Sequence, residues 1–194
     1  NKNYMSTIVA VQKNGRACIA ADTLTTFGDV KQSSEFDNTH DKVYLYKDNH
    51  FGIVGSAAHH IVVQSLLKKH GDNLNFSSQL DVFESFRTLH PILKDEYFLN
   101  PKDEEDDPYE SSRIDTLIVN PHGIFAVYAL REVFEYSRFW AVGSGGDIAL
   151  GAMYALYDRL ECAEEIAKKG VEAGATFNNA TALPLTSYTI DLNK

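Results

Sequence analysis

Cysteine is scarce: Cys18 and Cys162 are the only two, far apart and with no second pair beside them. That usage excludes a disulfide framework and a zinc knuckle, and it points to a reduced, cytoplasmic setting. Basic residues are also few, 18 Lys plus Arg against 27 Asp plus Glu, for a formal net charge of −9. A nucleic-acid binder carries a basic face, so this balance argues against that class. No apolar run approaches the ~20 residues that a membrane-spanning helix requires. The start of the chain lacks the basic-then-apolar layout of a secretory signal. His40, His59 and His60 have no companion ligands at metal spacing and read as surface or helix-start residues. Neither a repeat nor a linker interrupts the chain. What is present, 44% hydrophobic and 23% charged residues over 194 positions, suits a single globular domain spanning residues 1–194.

The local patterns divide into strands and helices in blocks. Thr7–Val11 and Ala17–Asp22 are apolar strands joined by a hairpin-type turn at Asn14-Gly15. Residues 28–41 are polar and loop-like. A second strand pair, Lys42–Tyr46 and His50–Val54, turns at Asp48-Asn49. Helical periodicity follows over Ala57–His70 and Gln79–Leu93, the latter with Pro91 late in the pattern. Residues 100–112 hold an acidic run between Pro101 and Pro108, a solvated surface insertion. Strands resume at Ile114–Asn120, Ile124–Tyr128, Phe134–Tyr136 and Phe139–Val142. Gly143-Ser144-Gly145-Gly146 then opens a helix over Asp147–Leu160, a second covers Ala163–Phe177, and Leu185–Asp191 closes as a strand. Segregated blocks of this kind predict an α+β fold, a four-layer αββα sandwich of two antiparallel sheets flanked by helices.

The motifs on these elements are similar to those of the proteasome β-type peptidases, most closely the small bacterial HslV-type subunits and their relatives. The anchors are Ser6-Thr7-Ile8-Val9-Ala10-Val11 with Asn14-Gly15, Ala20-Ala21-Asp22, Lys42-Val43-Tyr44-Leu45, Gly52 through Gly55, and Val142 through Gly146. Each is weak alone; five in order on the expected elements are specific. The resemblance covers nearly the whole length. It implies an N-terminal nucleophile hydrolase fold and peptide-bond hydrolysis inside a closed chamber of two stacked rings of identical subunits. Unfolded polypeptide is the implied substrate, commonly delivered by an ATP-driven unfoldase ring, and no cofactor is implied.

Carried over residue by residue, the resemblance makes Ser6 the nucleophile in the place of the usual threonine. Its hydroxyl forms an acyl-enzyme that water then hydrolyses. Lys42 matches the cation beside the nucleophile, and Asp22 the acid that pairs with it. Gly55 matches the backbone oxyanion donor and Ser144 the serine that assists proton transfer. Read without the resemblance, Gly143–Gly146 suits a phosphate cradle at a helix start, but the P-loop lysine is missing. One departure stands out: the acid that often follows the last long helix is replaced, with Ala175 in its apparent place.

A nucleophile of this type uses its own α-amine, with an ordinary pKa near ~8, as the base. Residues 1–5 precede Ser6 and are expected to be a propeptide or an expression remnant, so activity is expected to be latent until Ser6 carries a free amine. Met5-Ser6 also suits initiator-methionine removal. Two rival readings keep the same fold: a non-catalytic ring or scaffold subunit, and a small-molecule amidohydrolase.

Overall fold

Ile8 through Val11 are all fully buried, although neighbours on a strand point to opposite faces. Both faces of β1 (Ile8–Lys13) are therefore covered, and the rest of the fold shows by what. The structure is a computed structural model that describes residues 5–193. Of the expected leader, only Met5 lies within the described residues.

β1 turns through Asn14 and Gly15 into β2 (Arg16–Asp22), with Ile8 opposite Ala21. β10 (Phe139–Val142) and β11 (Leu185–Asp191) flank this hairpin in the order β10-β1-β2-β11, all antiparallel. The second sheet is a meander of β5 (Val43–Tyr46), β6 (Asn49–Val54), β7 (Asp115–Asn120), β8 (Gly123–Val127) and β9 (Val133–Tyr136). Ile8, Ala10 and Ile19 of the first sheet pack on Val54, Leu117 and Ile124 of the second.

The outward faces are covered by helices. Val9, Val11, Cys18 and Ala20 meet α3 (Gly146–Tyr157) and α4 (Ala163–Phe177) through Met153, Ile166 and Val171. Phe51, Ile118 and Phe125 meet α1 (Ala57–His70) and α2 (Gln79–Asp95) through Leu66, Leu67 and Phe86. The four expected layers are all present, and the unbroken apolar runs follow from sheets buried on both sides. Burying one such Leu or Ile side chain contributes about 1.5–3 kcal/mol.

Two differences from the sequence reading have physical causes. Residues 28–41 are not all loop, because β3 (Thr25–Phe27) and β4 (Val30–Gln32) pair as a short hairpin. Among the side chains of these two strands only that of Thr26 is buried, so no apolar alternation announces them. α3 ends three residues before the expected Leu160. There Lys13, arriving from the β1–β2 hairpin, donates to the carbonyls of Tyr157 and Leu160. A distant cation, not a local stop signal, caps that helix. No helix among the described residues is long and apolar enough to cross a membrane.

Candidate active site

Alternation along the chain entering β1 sends Ser6 and Thr7 to opposite sides. Ser6, 5% exposed, lines a cavity of about 400 Å³ together with Lys42, Gly55 and His60. Thr7 is fully buried on the helix side, against Gly145 and Gly174. Only Ser6 of the two hydroxyls therefore faces a space that a substrate can enter.

Lys42, at the residue before β5, reaches beneath Ser6. Its Nζ donates to Asp22 Oδ1 at 2.9 Å and to the Met5 carbonyl at 3.3 Å. The Ser6 hydroxyl donates to the same Met5 carbonyl. Burial pushes the Lys42 ammonium below the usual lysine range, opposed by the Asp22 carboxylate. Asp22, at the end of β2, is wholly buried and saturated with donors. Oδ1 also accepts from the Thr7 N–H at 2.9 Å, and Oδ2 accepts from Leu24 N–H at 3.1 Å and Ala182 N–H at 3.3 Å. Asp22 thus accepts from four donors, a set that no neutral side chain of its size satisfies.

The glycine motif lies against the Ser6 backbone. A Cβ on Gly143, whose φ is +96°, would sit 2.2 Å from the Ser6 carbonyl oxygen, and one on Gly145 would sit 2.0 Å from Thr7 Oγ1. The close approach lets the Gly145 N–H donate to Ser6 O at 3.2 Å and brings Ser144 Oγ to 3.5 Å from it. Across the cavity, Gly55 precedes α1 with φ +147°. Ser56 caps α1, its Oγ accepting from Ala58 N–H at 3.2 Å while its own N–H donates to His59 Nδ1 at 3.0 Å.

Ser6, Lys42 and Gly55 thus share one cavity, Asp22 anchors Lys42 from below, and Ser144 stands on the other side of the Ser6 backbone. Three participants escaped the sequence reading. His60, expected as a surface or helix-start residue, does stand in the first turn of α1, and from there it lines the cavity. Burial, with Lys42 and His59 nearby, pushes its imidazole down to about 4, so it is neutral. Thr7 carries a buried Oγ1 with no hydrogen-bond partner among the described residues. Asn178, just beyond α4, is hydrogen-bonded to Ser144. No group of three or more His, Cys, Asp or Glu placed to hold a metal occurs among the described residues.

Two antiparallel sheets between helix pairs, with a hydroxyl at the head of the first strand over a buried Lys–Asp pair, define the N-terminal nucleophile hydrolase class of fold. Comparison with solved structures narrows this. Thiobacillus denitrificans BPH in complex with epoxomicin superposes with a TM-score of 0.90 at 39% identity, covering 97% of this chain and 100% of that one. A second Thiobacillus denitrificans BPH structure gives a TM-score of 0.90 at 40% identity, covering 96% and 98%. The eukaryotic HslV from Trypanosoma brucei shares the fold at a TM-score of 0.72 and 18% identity, covering 95% and 99%. A scan of protein-family models and a search of curated proteins each return no match. The chain belongs to the HslV and proteasome β-type family.

Proposed function

We propose that this chain is a subunit of a self-compartmentalising peptidase and that Ser6 is its nucleophile. One observation carries the reading: Ser6 faces the cavity directly above the buried Lys42–Asp22 ion pair. While Met5 is attached, its carbonyl accepts from both Ser6 and Lys42, and no α-amine exists to serve as base. The site is therefore latent in that form.

Once Ser6 begins the chain, its amine takes the hydroxyl proton as Oγ bonds to the scissile carbonyl carbon. The Lys42 ammonium favours the deprotonated oxygen and the free amine. In this reading the oxyanion accepts from the N–H of Gly55, which lines the same cavity, an interaction worth about 3–4 kcal/mol in such sites. Collapse breaks the carbon–nitrogen bond, and the amine's proton passes to the leaving nitrogen. Water then attacks the Ser6 ester and releases the carboxylate product. Serine lacks the methyl that restricts threonine to fewer rotamers, so more ordering falls on the surroundings. Family membership favours identical subunits in a double ring, unfolded polypeptide as substrate and an unfoldase ring as partner.

The Met5 contacts favour a second reading, a ring subunit that never matures and serves assembly. Intact mass separates the two: the peptidase reading expects loss of residues 1–5 in cell-expressed protein. The matured chain is expected to hydrolyse fluorogenic peptides and to gain mass with epoxomicin, the compound held by the Thiobacillus denitrificans protein. Both results should vanish in Ser6→Ala. Turnover that survives this substitution refutes the mechanism.

A further inference from the structure

The acid expected after the last long helix is missing, and an amide has entered the same network from a different position. α4 stops as Asn178 turns extended, at φ −99° and ψ 127°, with its N–H donating to Gly174 O at 2.9 Å. The side chain folds back on the glycine motif. Nδ2 donates to the Ser144 carbonyl at 3.0 Å, and Oδ1 accepts from the Ala180 N–H at 3.0 Å. Those two backbone partners settle which end of the amide is which, since a carbonyl only accepts and an N–H only donates. The atom facing Ser144 Oγ at 3.1 Å is therefore the oxygen Oδ1, and the Ser144 hydroxyl must donate to it.

That polarity has a consequence at Ser6. A hydroxyl has one proton, and two acceptors compete for it here. Asn178 Oδ1 at 3.1 Å is nearer than Ser6 O at 3.5 Å, so the proton goes to Asn178 and Ser144 Oγ keeps its lone pairs for a donor at Ser6. The Ser6 carbonyl is already served by the Gly145 N–H. We infer that Asn178 is a positioning residue that turns the Ser144 oxygen toward the Ser6 α-amine as an acceptor and ends the proton path at Ser144. A carboxylate in this place would accept a proton and raise the affinity of the amine for its own. The amide does neither, leaving the amine as the sole base. The inference rests on the reading of Ser6 as the nucleophile and adds a residue that reading did not include.

The test uses chain whose first residue is Ser6, verified by intact mass, and follows peptide hydrolysis across pH alongside NMR titration of the Ser6 amine. Asn178→Asp adds a negative charge one serine away from the amine and is expected to move the acidic limb of kcat/KM upward by about one pH unit. The amine titration should move with it. Asn178→Ala is expected to lower kcat roughly tenfold with KM within about twofold, as for the loss of one ordering hydrogen bond. In a Ser144→Ala background the same substitution should cost nothing further, because Asn178 acts through Ser144. An acidic limb and amine titration that stay in place in a folded Asn178→Asp protein overturn the inference. So does an equal loss from Asn178→Ala in both backgrounds, which decides the matter even where Asn178→Asp fails to fold. Absence of wild-type turnover with Ser6 free refutes the peptidase reading instead. The amine titration then still judges Asn178 by itself.

Discussion

Replacing Asp22 by Asn is the sharpest perturbation of this molecule, because it removes one charge and almost no volume. Asp22 is fully buried and Lys42 is 6% exposed, so neither group has water to fall back on. In the variant, one end of the amide still accepts from Thr7 or Lys42, while its NH₂ end faces the N–H groups of Leu24 and Ala182, donor against donor. Breaking a buried ion pair from one side costs about 3–5 kcal/mol, chiefly because the surviving charge is stranded. Urea unfolding at pH 7 and fixed protein concentration should register that loss. The sign of its pH dependence follows from Lys42. Burial already lowers its proton affinity in the folded state, and loss of the carboxylate lowers it further, so the unfolded chain binds more protons and stability rises with pH. The variant should therefore recover part of its deficit as pH climbs toward the ordinary lysine range. Adding Lys42→Met removes the stranded charge and should restore stability above that of Asp22→Asn alone. A loss below about 1 kcal/mol, or a double variant no more stable than the single one, refutes the argument that the pair is structurally committed.

Gly145→Ala pushes a methyl against Thr7 and should destabilise by about 1–3 kcal/mol in the same assay, and unchanged stability would show that the strand gives way freely. His60 is held neutral, so protons bind the unfolded chain first as pH falls. Its contribution is complete above pH 6.5 and declines by up to about 3 kcal/mol on the way to pH 4. His60→Gln should flatten the stability curve across that window; parallel wild-type and variant curves would refute the assignment.

Much of the fold is legible in the sequence because its cues are local. Asn14-Gly15 between apolar runs sets the β1–β2 hairpin, and the helical spacing of Ile61, Val62, Leu66 and Leu67 marks α1, although Ile61 is exposed and Val63 joins Leu66 and Leu67 in the core. The β3–β4 hairpin is invisible because its strands bury almost nothing. The end of α3 is invisible because Lys13 supplies its cap from across the fold. Within the site, Ser6, Asp22, Lys42, Gly55 and Ser144 sit in motifs with fixed neighbours. Asn178 sits in none: its importance arises from a contact with Ser144 that only the folded chain creates. His60 is hidden for a similar reason, since the helix periodicity of α1 does not tell which face borders the cavity.

Thr7, wedged against Gly145 and Gly174, acts as an indexing pin for the start of the chain. A strand that slips by one residue exchanges its two faces. Here such a slip would swing Ser6 into the notch and Thr7 out over Lys42. The notch has room for the Thr7 side chain because neither glycine carries a Cβ, which would strike it. The placement of the candidate nucleophile is thus gauged from behind, by two bare backbone positions on the helix side of the sheet. Substitutions behind the strand, at Gly145 or Gly174, would therefore misalign Ser6 without intruding on the cavity itself.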